Sequence, residues 1–552
     1  MISIHSAPRS GSSWLLSIFD SCVNTKCLYQ PLFSYAFKNQ IHDKSSQKEF
    51  TTFTNELKET EDDFCCMKTN YHTNNGKNDI LTYHKENMEY LVMKHTSHHY
   101  LIEKMIELNK DIKIIGLIRN PENVIESQMK AKHENLQDWL NGSDKNKDLK
   151  ENYFGFNKWL DLNNYFITLK EKYPNNVYLI KYEDLLKNTK VEIEKVFHFC
   201  GIKLEKSTID FINESMSIND NYDYSVFRKK ETLIKRECKL DAKIINHINL
   251  KYPRIAIVIT INEVGKFVGT TSGGIKGSLS YVNQFLMLYY SIKENWFFNF
   301  KIYLIHSRDF SEKTYKILNN LDVVLKKINT KNLLIRPESY LLDINCDYRL
   351  VLDADMIALK NPTFNFNYDA QAQYGYFNYD FLPKKVFNIL KIKKPIESNF
   401  IQHKKIKCND NRLFSKTNYN LPEIYYENEL NYEKKYYPIF NHGAILIKNK
   451  YSKILGEKLI LYKTYFNTNS GQDVVGFIIN DITNGNWTHF NKGFNFTFNI
   501  SHINEIKSKK KYIDTNNKIE LLHYIYLEKN SIYFKKYIEQ YYNKLDLKRG
   551  NG

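Results

Sequence analysis

Residues 2–19 read ISIHSAPRSGSSWLLSIF. Ile2 and Ile4 alternate as residues of a strand do. Ser6–Ser13 make a short loop with one glycine and several hydroxyls. Trp14-Leu15-Leu16 and Ile18-Phe19 then read as the buried face of a helix. Strand, small-residue loop and helix in that order bind phosphate-like anions. The backbone N–H groups at the helix start have no partners within the helix, and the helix dipole favours negative charge there. Gly11 permits close backbone approach, Ser12 and Ser13 offer hydroxyls, and Arg9 offers charge. The loop lacks the GxxxxGK[ST] spacing of nucleoside-triphosphate kinases.

Further along the chain, Ile114–Ile118 runs into Arg119-Asn120-Pro121. A helix is expected to start there, with Asn120 as N-cap and Pro121 at its first position. Arg119 then stands at a strand end and Ser127 two turns into the helix. Both can face one anion on the side where strand C-termini meet ligands.

Ile112–Ile118 and Val177–Ile180 read as buried strands, separated by helical stretches such as Tyr90–Leu108 and Lys190–Cys200. Strands alternating with helices predict a doubly wound parallel sheet. The alternation restarts at Arg254–Ile261, and Lys301–Ile305, Val323–Ile328 and Arg349–Leu352 follow as strands. Tyr252-Pro253 punctuates the change. The expected organisation is therefore α/β in two domains, 1–250 and 251–552. Residues 390–437 and 500–520 are polar, lysine-rich and weakly patterned, and read as surface insertions.

APRSGSSWL resembles the 5′-phosphosulfate loop of sulfotransferases that use 3′-phosphoadenosine-5′-phosphosulfate, whose common form is P-K/R-S-G-T/S-T/S-W/F-L. IIGLIRNPENVIES resembles their 3′-phosphate motif, an Arg followed eight residues later by a Ser, here Arg119 and Ser127. KYEDLLKN at 181–188 resembles the segment that follows in that family. The resemblance covers about residues 1–230 and implies a P-loop-like domain. It also implies that Arg9, Ser10, Gly11, Ser12, Ser13 and Trp14 hold the phosphosulfate end, while Arg119 and Ser127 hold the 3′-phosphate. Arg9 is the expected leaving-group cation. The acceptor hydroxyl needs a general base. Many family members place a His shortly after a Lys, and VMKHTSHHY offers His95 or His98, with a carboxylate as the alternative. The Arg- and Gly-rich closing motif of cytosolic members is absent.

In the second half, RLVLDADMIAL at 349–359 carries strand residues straight into Asp353-Ala354-Asp355. Two carboxylates at i and i+2 beside a buried strand either share a divalent metal, with Mg²⁺ and Mn²⁺ preferring such oxygens, or cap a turn. The region resembles nucleotide-sugar glycosyltransferases of the GT-A fold, of the glycogenin and galactosyltransferase-like type. LDADMIALKNP resembles their D-x-D motif, and NHGAILIKN at 441–449 a later Asn-containing segment. SGQDVVGFIIND at 470–481 resembles their D-Q-D segment, and LLHYI at 521–525 their metal-histidine strand. The resemblance implies Mn²⁺ or Mg²⁺ on Asp353, Asp355 and His523, with Asn441, Gln472 and Asp473 facing the sugar of a donor such as a UDP-sugar, or the acceptor. Two departures stand out. Gly471 occupies the first Asp position of D-Q-D, and no G-x-K-P-W follows His523.

The chain has 552 residues and a net charge of +17. That balance suits nucleic acid, an anionic surface or anionic ligands, or is lysine drift on solvated faces. No nucleic-acid module is present, so nucleic acid is not an expected partner. The eight cysteines include no CxxC pair, which argues against a zinc site or disulfide framework and for a reducing compartment. No run of about 18 apolar residues predicts a transmembrane segment, and a cytoplasmic location is expected. The leading expectation is an enzyme that builds and sulfates a glycan or glycoconjugate. Its rivals are a sulfotransferase carrying a degenerate carbohydrate-binding module, and a P-loop kinase.

Overall fold

The computed structural model describes residues 1–67, 88–130, 155–218, 239–262, 281–330, 334–374, 388–391, 440–466, 472–490, 496–497 and 520–523, with residues 226, 230 and 233. The chain divides into two compact units, Met1–Ile248 and Asn249–Gly552.

In the first unit, five strands form one sheet: β1 (Ile2–Ser6), β2 (Thr25–Tyr29), β3 (Tyr90–His95), β4 (Lys113–Ile118) and β5 (Val177–Lys181). Their order is β2-β3-β1-β4-β5, and every neighbouring pair is parallel. Such strands are buried on both faces, which is why Leu91-Val92-Met93 and Ile114-Ile115 run apolar without alternation. The helices include α1 (Ser12–Asp20), α2 (Gln47–Glu59), α3 (Ile102–Leu108), α4 (Pro121–Lys130) and α5 (Phe156–Lys172). Then come α6 (Tyr182–Lys187), α7 (Thr189–Cys200) and α8 (Lys206–Ser217).

On one face of the sheet, Trp14, Leu15, Leu16, Ile18 and Phe19 of α1 pack with Ile2, Ile4, Val92, Ile115 and Leu117. On the other, Phe166 of α5 closes on Gly116, where an added Cβ would lie 3.3 Å from its ring. Helices thus cover both faces, as a doubly wound sheet requires.

The structure corrects one element. Residues 90–108 are not a single helix, because Tyr90–His95 is the central strand β3 and only Ile102–Leu108 is α-helical. A short apolar run has no decisive period of its own. Pairing with both β1 and β2 settles it as strand.

The second unit is built on a seven-stranded sheet in the order β13-β11-β12-β9-β6-β7-β8. Its parallel part is β6 (Ile255–Thr260), β7 (Phe300–His306), β8 (Val323–Lys327) and β9 (Tyr348–Leu352). A short strand β10 (Met356–Ala358) follows β9. The strand β12 (Phe440–Lys448) runs antiparallel to both β9 and β11 (Ala370–Tyr374), and β13 (Trp487–His489) closes the edge. The strands β14 (Phe496–Thr497) and β15 (Leu521–His523) join β10 in a separate three-stranded sheet.

Helix α9 (Tyr281–Asn295) and the strand residues Ile257, Ile259, Leu350 and Leu352 share one core. The described residues of the unit also form the helices α10 (Glu312–Asn319), α11 (Ile335–Ser339), α12 (Ser452–Phe466) and α13 (Gln472–Ile482). Buried Arg349 ties α11 down, its Nη1 donating to Ser339 O at 2.9 Å and its Nε to Asn449 Oδ1 at 2.7 Å. Gly456 lets α12 approach: a Cβ there would lie 2.8 Å from Pro337 O. Of the surface insertions expected at 390–437 and 500–520, residues 392–437 and 500–519 lie outside the described residues.

Candidate functional site

The first unit's site begins where β1 ends. Between Ser6 and α1 the backbone turns through two left-handed residues, Arg9 at φ 68° and Gly11 at φ 93°. Glycine adopts this conformation freely, whereas a residue with a Cβ pays about 1–2 kcal/mol. Arg9 is therefore held there by its surroundings. Its carbonyl accepts from Arg119 Nη1 at 2.8 Å, and Pro8 O accepts from Gln128 Nε2 at 3.2 Å. The Arg9 side chain turns the same way, with Nε donating to Ser127 Oγ at 3.1 Å.

Parallel pairing of β1 with β4 places the two segments side by side, since Ser6 lies opposite Leu117. Arg9, Arg119 and Ser127, read from separate motifs, thus converge at the carboxyl end of the sheet. Ser12 Oγ accepts from Ser6 Oγ at 2.9 Å. Among the described residues Ser10 Oγ and Arg119 Nε are buried without a hydrogen-bond partner. Buried polar atoms are nearly always satisfied, so unsatisfied donors beside a small-residue loop fit an anionic ligand. Ser13 is half-buried, and its carbonyl accepts from Ser17 Oγ at 3.0 Å. Trp14 is buried, and its indole N–H donates to Ser215 Oγ at 3.1 Å.

The histidines form a group of their own. Lys94 and His95 are successive residues of β3, so their side chains leave opposite faces of the sheet. His95 stacks on His5 with ring centroids 5.2 Å apart, and His5 Nδ1 lies 3.0 Å from His99 Nδ1. Neither ring nitrogen of His95 has a hydrogen-bond partner among the described residues. Burial, then the neighbouring histidines, hold His5 and His95 well below the usual histidine range. Both are neutral imidazoles at physiological pH. His98 is left-handed at φ 58°, with Nδ1 2.9 Å from Ser97 Oγ. The structure therefore joins Arg9, Arg119 and Ser127 through hydrogen bonds and sets His95 among the buried histidines.

Two residues that motif reading passed over belong to this site. Lys94 is buried, lies 4.2 Å from the centroid of the Tyr29 ring, and pairs with no carboxylate among the described residues. Burial first, and Arg9 second, push its ammonium down to about 7. Tyr182 packs on both Gly11 and Arg119. The available signals were the Lys preceding the histidines and the Tyr of KYEDLL.

In the second unit Asp353 leaves β9 with its N–H donating to Gly443 O at 2.9 Å. Its carboxylate accepts from Arg336 Nη1, and Arg336 Nη2 donates to His442 O. No motif marked Arg336; the register of β9 against β12 and the seating of α11 bring it there. Asp355 is half-buried near Tyr281, whose hydroxyl is pushed up by burial and then by that carboxylate. His523 lies directly opposite Met356 in the antiparallel β10–β15 pair, one residue beyond Asp355. Asn441 lies on β12 opposite Gln373, and Gln472 and Asp473 are the first residues of α13. For these four the description extends to backbone placement. Among the described residues no group of three or more His, Cys, Asp or Glu side chains forms a metal cluster. Behind Asp353, His442 is held well below its ordinary range by burial, Arg336 and Lys463, and Lys463 is pushed down to about 8 by burial and Arg336.

A family model described as "Sulfotransferase domain" matches residues 1–247. No curated protein matches the chain. Solved structures similar to it include the galactosyltransferase LgtC in complex with donor and acceptor sugar analogues, at 14% identity and TM-score 0.31, covering 52% of this chain and 95% of that one. The apo glycosyltransferase GlyE of Streptococcus pneumoniae is similar at 14% identity and TM-score 0.29, covering 54% and 64%. Mouse sulfotransferase SULT7A1 complexed with PAP is similar at 17% identity and TM-score 0.26, covering 44% and 76%. Likeness at this level says nothing about activity.

Lys94 gives the site a pH signature. An unfolded lysine titrates near about 10.4, above the folded value of about 7. Between these pH values the unfolded chain binds the extra proton, so this group makes stability rise with pH and fall on acidification. Lys94→Met removes the effect. Thermal unfolding of both proteins from pH 7 to 10 is expected to show the Met variant more stable at pH 7, with the difference shrinking as pH rises. A pH-independent difference would contradict the assignment.

Proposed function

We propose that the first unit, which carries a sulfotransferase domain over residues 1–247, transfers a sulfuryl group from 3′-phosphoadenosine-5′-phosphosulfate to a hydroxyl of a glycan or glycoconjugate. A sulfotransferase domain makes the chain a transferase; the donor, the acceptor and the residue roles are our reading. The observation that carries it is the convergence of Arg9, Arg119 and Ser127, with Ser10 Oγ and Arg119 Nε buried and unsatisfied among the described residues.

On this reading the backbone of residues 9–14 and the hydroxyls of Ser10, Ser12 and Ser13 hold the phosphosulfate end, with Gly11 and Trp14 shaping the loop. Arg119 and Ser127 hold the 3′-phosphate. When bound, the donor supplies an electrophilic sulfur on a phosphate leaving group. Arg9 places a fixed positive charge where negative charge grows as the leaving oxygen departs. Lys94, on the Arg9 side, adds a second cation whose proton an anion would retain. The acceptor proton goes to His95 or His98. A neutral imidazole suits that role, and burial keeps His95 neutral with His5 stacked on it.

For the second unit we propose a metal-dependent nucleotide-sugar glycosyltransferase, with the functional boundary at residues 250 and 251. Asp355 and Asp353 would hold Mn²⁺ or Mg²⁺ together with His523. Asn441, Gln472 and Asp473 would face the sugar or the acceptor. Support comes from the half-buried Asp355 and from strand pairing that brings the backbone of His523 beside it. A carbohydrate-binding module is the second reading, favoured by the Arg336–Asp353 ion pair, which already occupies one carboxylate. A cytoplasmic location is proposed from the cysteine spacing of the sequence, which suits a reducing compartment. Among the described residues no helix is long and apolar enough to cross a membrane.

Arg119→Ala is expected to weaken adenosine 3′,5′-bisphosphate binding about 10- to 100-fold by isothermal calorimetry. Charge-assisted hydrogen bonds are worth about 1.5–3 kcal/mol. Unchanged affinity would remove Arg119 from the site.

Titration of the full chain with a UDP-sugar is expected to show binding with Mn²⁺ that chelator abolishes and Asp355→Ala eliminates. Adenosine bisphosphate binding should survive both changes. Binding that ignores chelator overturns the metal role, and no UDP-sugar binding at all favours the module.

A further inference from the structure

We infer that Tyr182 is a positioning residue that holds the two anion-binding segments of the first unit in register, and that Glu183 beside it sets the start of α4. The inference rests on Arg119 being the 3′-phosphate ligand, as proposed above.

One ring makes three contacts. A Cβ built on Gly11 would overlap Cε2 and Cδ2 of Tyr182, so the ring occupies the volume that any side chain at position 11 would need. The Arg119 guanidinium carbon lies 4.5 Å from the centroid of the same ring, within cation–π range. Trp14 meets the ring edge-on at 6.2 Å.

Strand pairing explains why this residue is the one placed there. In the parallel β4–β5 pair Ile118 lies opposite Lys181, so the next residues, Arg119 and Tyr182, leave the sheet together. Tyr182 is buried as α6 begins. Glu183 then turns toward the other segment, and its Oε1 accepts from the backbone N–H of Asn120 at 2.9 Å. That N–H lies just before Pro121, where α4 starts, and α4 carries Ser127.

The arrangement closes a loop of interactions. Arg119 donates to Arg9 O, Arg9 belongs to the turn that contains Gly11, Gly11 abuts Tyr182, and Tyr182 carries Arg119. An aliphatic side chain at 182 could refill the volume but would offer no ring to the guanidinium. Arg119 would then lose the ring's support and keep its bond to Arg9 O and its attraction to Glu183, while the loop kept its own hydroxyls and N–H groups. The effect should therefore fall on recognition of the 3′-phosphate and spare the 5′ side.

The test uses the full chain and two probes, adenosine 3′,5′-bisphosphate and adenosine 5′-monophosphate, titrated calorimetrically. Their affinity ratio reports what the 3′-phosphate contributes. Tyr182→Phe keeps the ring and is expected to hold the ratio within about twofold. Tyr182→Leu is expected to lower it about tenfold, the size of a partly desolvated cation–π contact. Tyr182→Met, which refills the volume with a flexible side chain, carries the same expectation if the Leu variant does not fold.

An unchanged ratio in the ring-less variants overturns the inference. That includes the case in which both probes weaken equally, since the ring would then touch a part they share. The underlying reading fails separately and visibly: wild-type protein that does not distinguish the two probes removes the 3′-phosphate from Arg119, and the positioning role with it.

Discussion

The first site depends on a single hydrogen bond, from Arg119 Nη1 to the carbonyl of Arg9 at 2.8 Å. It ties the end of β4 to the turn after β1, two segments 110 residues apart in sequence. The guanidinium donates to a backbone carbonyl and acts through space on the Glu183 carboxylate. It also supports Arg9 in a left-handed conformation that its side chain disfavours. With Arg9 reaching Ser127 and Lys94 buried nearby, positive charge gathers at the carboxyl end of a parallel sheet. Concentrating charge in this way lowers stability until an anion is bound, and Lys94 carries part of that cost, its proton affinity depressed first by burial and second by Arg9.

The second unit solves a different problem with similar means. Asp353 and Asp355 leave the sheet two residues apart, and two carboxylates so close repel each other unless a cation intervenes. Here Arg336 takes the first. The second stays half-exposed, with the backbone of His523 beside it. Arg349 and Gly456 hold α11, and hence Arg336, in place, one through hydrogen bonds and the other by its lack of a side chain. The guanidinium and a metal ion would both seek the same carboxylate oxygens, so the strength of that ion pair bears directly on whether the unit takes a metal.

What could be read from the sequence was local. The turn at residues 7–11 and the Arg119–Ser127 spacing each sit within one strand–loop–helix unit, where periodicity and small-residue loops carry the signal. The buried strands at 114–118, 255–260 and 348–352 were equally plain, because a parallel strand is apolar throughout. The strand at 90–95 was not, since its flanks are helical in pattern and only pairing with β1 and β2 identifies it. Contacts set by sheet register were also hidden: Tyr182 against Gly11, His95 against His5, Arg336 against Asp353. The candidate base shows this most clearly. Lys94 and His95 are neighbours in sequence, yet pleating sends one toward Arg9 and the other into a cluster of histidines.

The central claim is that the first unit recognises a nucleotide bearing a 3′-phosphate rather than a nucleoside triphosphate. Calorimetric titration of the wild-type chain with adenosine 3′,5′-bisphosphate, and separately with ATP, tests it most directly. Metal-independent binding of the bisphosphate, at an affinity well above that for ATP, is the predicted result. Preference for ATP, or the same affinity for both, would contradict the account.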